Sequence, residues 1–329
     1  MKKVLFATTA LVMTAGVAAA EVAVTGDARM GLRYESDTAY GGDSSWNVIN
    51  RVRVKFTMTG ESQSGISFGA ALRSDQHSNS GGNSSATAGE VWVSGAYGKL
   101  TVGDIDGALE KAVGDLPEVG LSGLDFWNEF AYATSTEGVQ KDAGVLYEYA
   151  IGNANLYLSF HDKYHGNSDV EMDTTTWAVG VGYDLGNYTF GLGYEKANFT
   201  QNPLFDNTGA AEVLSPFESD TWGISGGTSI NGITFKAAYT TTDTEDPNVT
   251  DFSQYGIGAE YDMANGVALK GFYRVIDADN GNEASAFGLG ANYDLGGGAT
   301  VKGGIVSADA EEFGYHDNLM ADFGLEFKF

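Results

Sequence analysis

The chain of 329 residues has no cysteine, so it has neither a disulfide framework nor a thiolate site. Only four residues are proline and four histidine, and apart from one short run at the start no apolar stretch approaches the ~18–20 residues of a membrane-spanning helix. Basic residues are scarce too: 18 Lys and Arg against 44 Asp and Glu give a net charge of −26, which argues against nucleic acid as a partner. Acidity of this order also occurs in disordered tails. The 12% aromatic content and 46 glycines argue against that here.

What is present begins with an export signal. Lys2 and Lys3 precede an apolar run over residues 4–17, and Ala18, Ala19 and Ala20 form a small-residue cleavage site before Glu21. Residues 1–20 are therefore read as a signal peptide and 21–329 as one mature domain. Loss of the two lysines, with no acid in the leader, takes the net charge to −28.

Beyond the signal the dominant period is two. Val52, Val54, Phe56 and Met58 alternate with Arg51, Arg53, Lys55 and Thr57. Sixteen such segments are expected, at about 22–34, 46–60, 65–74, 86–97, 99–104, 143–150, 154–162, 174–185, 187–196, 219–230, 232–242, 251–262, 266–276, 284–294, 299–306 and 320–329. Short glycine- and asparagine-containing turns alternate with long polar loops, as in an up-and-down barrel. All four prolines fall in the loops, where a missing donor breaks no ladder.

The polar face is too charged for a dry core, since Arg51, Arg53, Lys55, Arg73, Lys236, Lys270, Arg274 and Lys302 all lie on it. The other face ends in tyrosines near turns, including Tyr183, Tyr188, Tyr239, Tyr261 and Tyr293, the form of a girdle at a lipid–water boundary. The expected fold is all-β: a sixteen-stranded antiparallel transmembrane barrel, apolar outside and water-filled within.

One connection stands apart. Residues 104–142 carry nine carboxylates and two lysines, interleaved with Leu109, Val113, Leu116, Leu121, Leu124, Phe126, Trp127, Phe130 and Tyr132. A solvated loop has no use for such anchors, so the segment is expected to fold inward and narrow the bore. Glu110, Asp115, Glu118 and Asp125 are the acids expected to face the opening.

The terminal run Phe323-Gly324-Leu325-Glu326-Phe327-Lys328-Phe329 resembles the last strand of Gram-negative outer-membrane proteins, whose assembly machinery reads a terminal phenylalanine, here Phe329. Four other stretches, Gly26-Asp27-Ala28-Arg29-Met30-Gly31, Val91-Trp92-Val93-Ser94-Gly95-Ala96-Tyr97-Gly98-Lys99, Gly186-Asn187-Tyr188-Thr189-Phe190-Gly191-Leu192-Gly193-Tyr194-Glu195-Lys196 and Gly288-Leu289-Gly290-Ala291-Asn292-Tyr293-Asp294-Leu295-Gly296-Gly297-Gly298, resemble the trimeric general porins of alpha-proteobacteria. The resemblance covers essentially all of 21–329. It implies a homotrimer in the outer membrane, with the third long loop inside each pore facing basic wall residues. The matching wall positions are Arg29, Arg33, Arg51, Arg53 and Arg73. Loop 75–85 stands where the family reaches towards a neighbouring subunit. No cofactor is implied, although some relatives hold calcium among loop carboxylates, for which Asp104, Asp106 and Glu110 are the candidate ligands here.

Enzyme signals are weak. Gly223-Ile224-Ser225-Gly226-Gly227 has the letters of a nucleophile elbow but lies inside an alternating strand rather than a strand-to-helix turn. His77, His161, His165 and His316 show no zinc spacing. The expected function is passive diffusion of small hydrophilic solutes and ions. The alternative is a substrate-selective channel with a weak binding site in its lumen.

Overall fold

The computed structural model describes residues 21–36, 44–77, 85–86, 89–134, 143–162, 172–201, 204–205, 211–212, 217–245, 249–313 and 317–329. The expected signal peptide, the middle of loop 75–85, the end of the long loop with Glu137 and Asp142, and His165 and His316 lie outside the described residues.

Sixteen strands build the wall: β1 (Glu21–Glu35), β2 (Ser45–Glu61), β3 (Ser67–His77), β4 (Glu90–Gly95), β5 (Gly98–Gly103), β6 (Gly144–Ile151), β7 (Ala154–Asp162), β8 (Met172–Leu185), β9 (Tyr188–Gln201), β10 (Phe217–Ile230), β11 (Ile233–Thr244), β12 (Phe252–Asp262), β13 (Val267–Ala278), β14 (Glu283–Gly296), β15 (Ala299–Asp309) and β16 (Asn318–Lys328). Each pairs antiparallel with the next, and β16 returns to pair with β1 from Asp27↔Lys328 to Glu35↔Met320, so the sheet closes on itself. Gly26 and Phe329 complete the seam by exchanging both backbone hydrogen bonds, at 3.3 and 2.9 Å. Closure leaves no sheet edge, which a spanning sheet requires because hydrocarbon satisfies no backbone group.

All sixteen expected segments are strands, with ends shifted by a few residues. The fourth is the exception. The expected run 86–97 is broken at Gly89, whose φ of +75° turns the chain out of the ladder, and only Glu90–Gly95 remains, with Ser85 and Ala86 forming a separate two-residue bridge to β3. Gly89 gives up its strand position to accept the Asp104 N–H at 2.8 Å, which fixes the start of the long loop.

Alternation sorts the two faces as the period predicts. On β9, Tyr188, Phe190 and Leu192 are exposed apolar residues on the outside, while Gly191, Gly193 and Glu195 are buried on the inside. On β2, Val48 is 76% exposed. The buried apolar cluster is not a barrel core of wall residues alone. Leu109, Val113, Leu116, Val119, Leu124, Phe130 and Tyr132 of the long loop pack on Ala178, Ala238, Phe272, Ala286, Val306 and Met320 of the wall. Each fully buried leucine contributes about 1.5–3 kcal/mol, so the loop is held as a folded element. Its α-helix, α1 (Ala108–Val113), ends where Gly114, at φ +60°, donates its N–H to the Glu110 carbonyl.

The lumenal loop and the charged opening

From Ala108 to Asp125 the loop follows the inner wall across eleven consecutive strands, from β7 through β16 to β1. Glycines make the close approach possible. A Cβ on Gly180 of β8 would sit 2.2 Å from the Ala108 carbonyl oxygen, and one on Gly191 of β9 would sit 2.0 Å from that of Ala112. Leu109 and Val113 lie over Gly223 of β10, Leu116 and Pro117 over Gly256 and Gly258 of β12, and Gly120 against Gly304 of β15. Any side chain at these positions would hold the loop off the wall.

Wall side chains then grip the loop backbone. Ser159 Oγ of β7 accepts the Ala108 N–H at 2.8 Å. Asp322 of β16 accepts the Leu121 N–H at 2.8 Å, the Ser122 N–H at 2.6 Å and the Ser122 hydroxyl at 2.7 Å. Arg29 Nη1 donates to the Leu121 carbonyl at 3.0 Å, so that residue is held from both sides. Past Asp125 the chain turns back. Gln254 of β12 accepts the Ala131 N–H and donates to its carbonyl, at 2.9 and 3.0 Å. Glu195 of β9 accepts the Ala133 N–H at 2.7 Å and the Thr134 hydroxyl. Phe130 lies under the Arg274 guanidinium, 5.5 Å from centroid to carbon.

The four loop acids expected at the opening divide in two. Glu118 and Asp125 are exposed, and Asp125 Oδ2 is 2.6 Å from Arg33 Nη2. Glu110 and Asp115 are half-buried. Burial, reinforced by the charges of Asp106, Asp115, Glu129 and Glu195, pushes the Glu110 carboxyl up to about 8. Burial likewise raises Asp115, against the Phe130 N–H it accepts at 2.8 Å and the opposing charges of Lys236 and Arg274. Asp104, Asp106 and Glu129 are further exposed loop acids. Of the expected anchors, Phe126 is 47% exposed at φ +56°, while Val119 is a buried anchor absent from the expected set.

The basic wall residues also separate. Arg29 and Arg33 bind the loop. Arg51, Arg53 and Arg73 form a network with two wall acids: Arg51–Asp27 at 2.8 Å, Arg53–Asp75 at 3.0 Å, Arg53–Asp27 at 3.9 Å and Arg73–Asp75 at 2.9 Å. Among the described residues this part of the wall makes no hydrogen bond or ion pair with the loop. Arg53, Lys55 and Arg73 instead line a polar cavity of about 570 Å³ together with Asp104 and Asp106.

Asp104, Asp106 and Glu110 do not converge into a set of ligands. Among the described residues no group of three or more carboxylates or histidines is placed to hold a metal ion. Lys111 Nζ stands 3.9 Å from Asp106, and Glu110 is packed into the seat, where burial favours its neutral form.

The sequence matches the model of the Gram-negative porin family over residues 7–312. The chain belongs to that family. It is 33% identical over 292 residues to a porin of Rhodobacter capsulatus, covering 76% of this chain and 93% of that protein, and 26% identical over 280 residues to a porin of Fuscovulum blasticum. A solved porin structure superposes with a TM-score of 0.71 at 29% identity over 94% of this chain and all of the other. A mutant Rh. blastica porin gives 0.63 at 21%, a likeness of fold. The porin is thus a multi-pass β-barrel of the outer membrane and a diffusion channel rather than an enzyme, like the alpha-proteobacterial porins it resembles in sequence.

Sequence reasoning missed Asp27, Asp75, Glu195, Gln254 and Asp322. Their lumen-facing parity was visible, but any polar residue is tolerated on a wet wall, so parity alone gave them no distinction.

Proposed function

We propose that solutes pass between the free edge of the loop and the wall of β1–β3, and that this opening sets the conductance. The observation that carries the reading is the loop's course: it lines the inner wall from β7 round to β1, leaving the basic network of β2 and β3 facing the cavity. Acids on one side (Asp104, Asp106, Glu118, Asp125, Glu129) and guanidinium groups on the other (Arg33, Arg51, Arg53, Arg73) set up a field across the passage, which orders water and favours small polar solutes.

We infer a preference for cations. Of the described lumenal bases, Arg33, Arg51, Arg53, Lys55, Arg73, Lys270 and Lys302 have a carboxylate within 4 Å, while Arg29, Lys236 and Arg274, which lie under the loop, do not; at the opening itself, Asp104 and Glu118 form no ion pair among the described residues. The surplus charge of the passage is negative.

The homotrimer is a proposal that the low wall supports. Strands β4 and β5 have only six residues each. A spanning strand needs about 9–11, so protein rather than lipid would cover this arc. Phe329, 79% exposed at the seam, is the proposed assembly signal. Calcium, if held, would require other ligands than Asp104, Asp106 and Glu110 as they stand.

Reconstitution in a planar bilayer tests the reading. Shortening the loop between Asp115 and Ala131 should raise the conductance of each step, with steps arriving in threes and a reversal potential of cationic sign in a salt gradient. Unchanged conductance in the shortened variant would remove the loop from the account.

A further inference from the structure

On the outer face of β10–β13 the wall is hollowed. Gly226, Ala237, Ala259 and Gly271, one on each of four adjacent strands, form the floor of an apolar groove of about 800 Å³. The ladders place them side by side, Gly226 opposite Ala237 and Ala259 opposite Gly271. Longer side chains stand on both sides: Phe235, Tyr261 and Leu269 towards the short turns, Ile257 and Tyr273 towards the middle of the wall. Phe190, opposite Gly226 on β9, marks one end. At the other end Leu289 leans over Gly271, where a Cβ would lie 2.9 Å from Leu289 Cδ2. Lys236 and Lys270 of the same strands turn to the lumen, one beside Gly114 and the other 3.2 Å from Glu260, so their charges lie on the far side of the sheet.

Gly226 has no reason within the chain to be glycine. Glycine weakens a strand, and it earns its place through a positive φ, a crowded backbone or a ligand that comes close. The φ of Gly226 is outside the left-handed range, and a Cβ built on it would meet no atom within 4 Å. Every other described glycine with such open space has a positive φ. The space over the floor is therefore kept for something outside the chain. Water finds no polar partner there. A second copy is not placed to fill it, because β12 is eight strands round from β4, across the barrel from the short strands β4 and β5. Hydrocarbon is what surrounds this face. The floor lies three or four residues in from the short turns on each strand, on the membrane side of Tyr188 and Tyr261. Short turns mark the periplasmic rim of such a barrel. A chain lying in the groove has protein atoms on three sides instead of one, and each contact adds dispersion attraction.

We propose that this groove is a binding site for one acyl chain of a phospholipid of the periplasmic leaflet, with the headgroup at the level of Tyr188 and Tyr261. The acyl chain enters over Thr228, the smallest residue of the bank on the turn side, and lies along the floor from Gly226 to Gly271. The rest of the outer wall meets lipid as solvent; here one lipid resides.

Two measurements on the full chain test this. In the first, the porin is reconstituted in vesicles of palmitoyl-oleoyl phosphatidylethanolamine and phosphatidylglycerol, a small share of which carries a photoreactive diazirine on one acyl chain. Illumination and peptide mapping should place label on Phe235, Ile257, Leu269 and Tyr273 several-fold above the outward-facing Val179 of β8 and Leu192 of β9. Label spread evenly over the outer wall overturns the proposal. In the second, native mass spectrometry of porin released from the same vesicles should find one phospholipid retained per chain. Gly226→Leu with Ala259→Leu fills the floor and should cut that retention several-fold. Val179→Phe, an apolar enlargement elsewhere on the outer wall, should leave it unchanged. All three substitutions face away from the lumen, so native single-channel conductance shows that the variants fold. Equal retention by the native chain and the double variant overturns the proposal, and so does equal loss in Val179→Phe. Retention of lipid A in place of phospholipid, when both are supplied, overturns the assigned source. A change in the number of chains per assembly with no change in lipid count makes a second copy the occupant and overturns it too.

Discussion

Arg33 of β1 and Asp125 of the lumenal loop meet at 2.6 Å although 92 residues separate them in the chain. Asp125 is nearly half exposed, so water screens the pair and its share of stability is about 0–1 kcal/mol. Its charges nevertheless stand at the edge of the passage. Asp125→Asn should therefore make the channel less cation-selective, and Arg33→Ala more so, with little change in melting temperature. Reversal potentials and thermal melts of the two variants check this together.

Arg53 lies between Asp27 and Asp75. Its removal as Arg53→Ala leaves Asp27 with Arg51 and Asp75 with Arg73. Conductance should rise as a bulky side chain leaves the cavity, and cation preference should increase by the loss of one positive charge. Loss of a charged hydrogen bond costs about 1–3 kcal/mol, to be read as a lower denaturation midpoint.

Gly191→Val tests the seat of α1. Even a Cβ there would lie 2.0 Å from the Ala112 carbonyl oxygen, a backbone atom that cannot rotate away. The strand itself should tolerate valine, so the barrel should still form while the helix is displaced into the lumen. The expected outcome is a native-like circular dichroism spectrum with altered single-channel conductance.

Glu110 supplies a pH dependence. Its carboxyl is raised from 4.5 to about 8, so the folded chain retains a proton that the unfolded chain releases. Stability is then unaffected by this group below about pH 4.5, falls as pH rises through the window from 4.5 to 8, and levels off above it. Glu110→Gln removes the penalty. The variant should match the native protein near pH 4 and exceed it near pH 9 by an amount on the order of a few kcal/mol, measured as denaturation midpoints at the two pH values.

The wall was legible because a spanning strand must alternate, and lipid on one side punishes every lapse in the pattern. Val52, Val54, Phe56 and Met58 could face only outward. The loop was legible as an inward fold through Leu109, Val113, Leu116 and Leu121, which need burial. Its path was not. Gly180, Gly191 and Gly223 read in sequence only as weak strand positions, and they become a seat when strands distant in sequence are side by side. Composition does not show which side of a docked loop a residue takes. Phe126 looked like an anchor for the same reason.

The seam between Gly26 and Phe329 joins the first strand of the wall to the end of the last one. The earliest strand to leave the ribosome therefore has to wait for the latest before its outer border is covered. Until then the chain is a curved ribbon with two bare margins, each able to add a foreign strand. Contacts of such long sequence separation form slowly. An exported chain with this architecture needs an escort on its way to the membrane, and a copy lacking its final strand would remain an unfinished sheet rather than become a smaller pore.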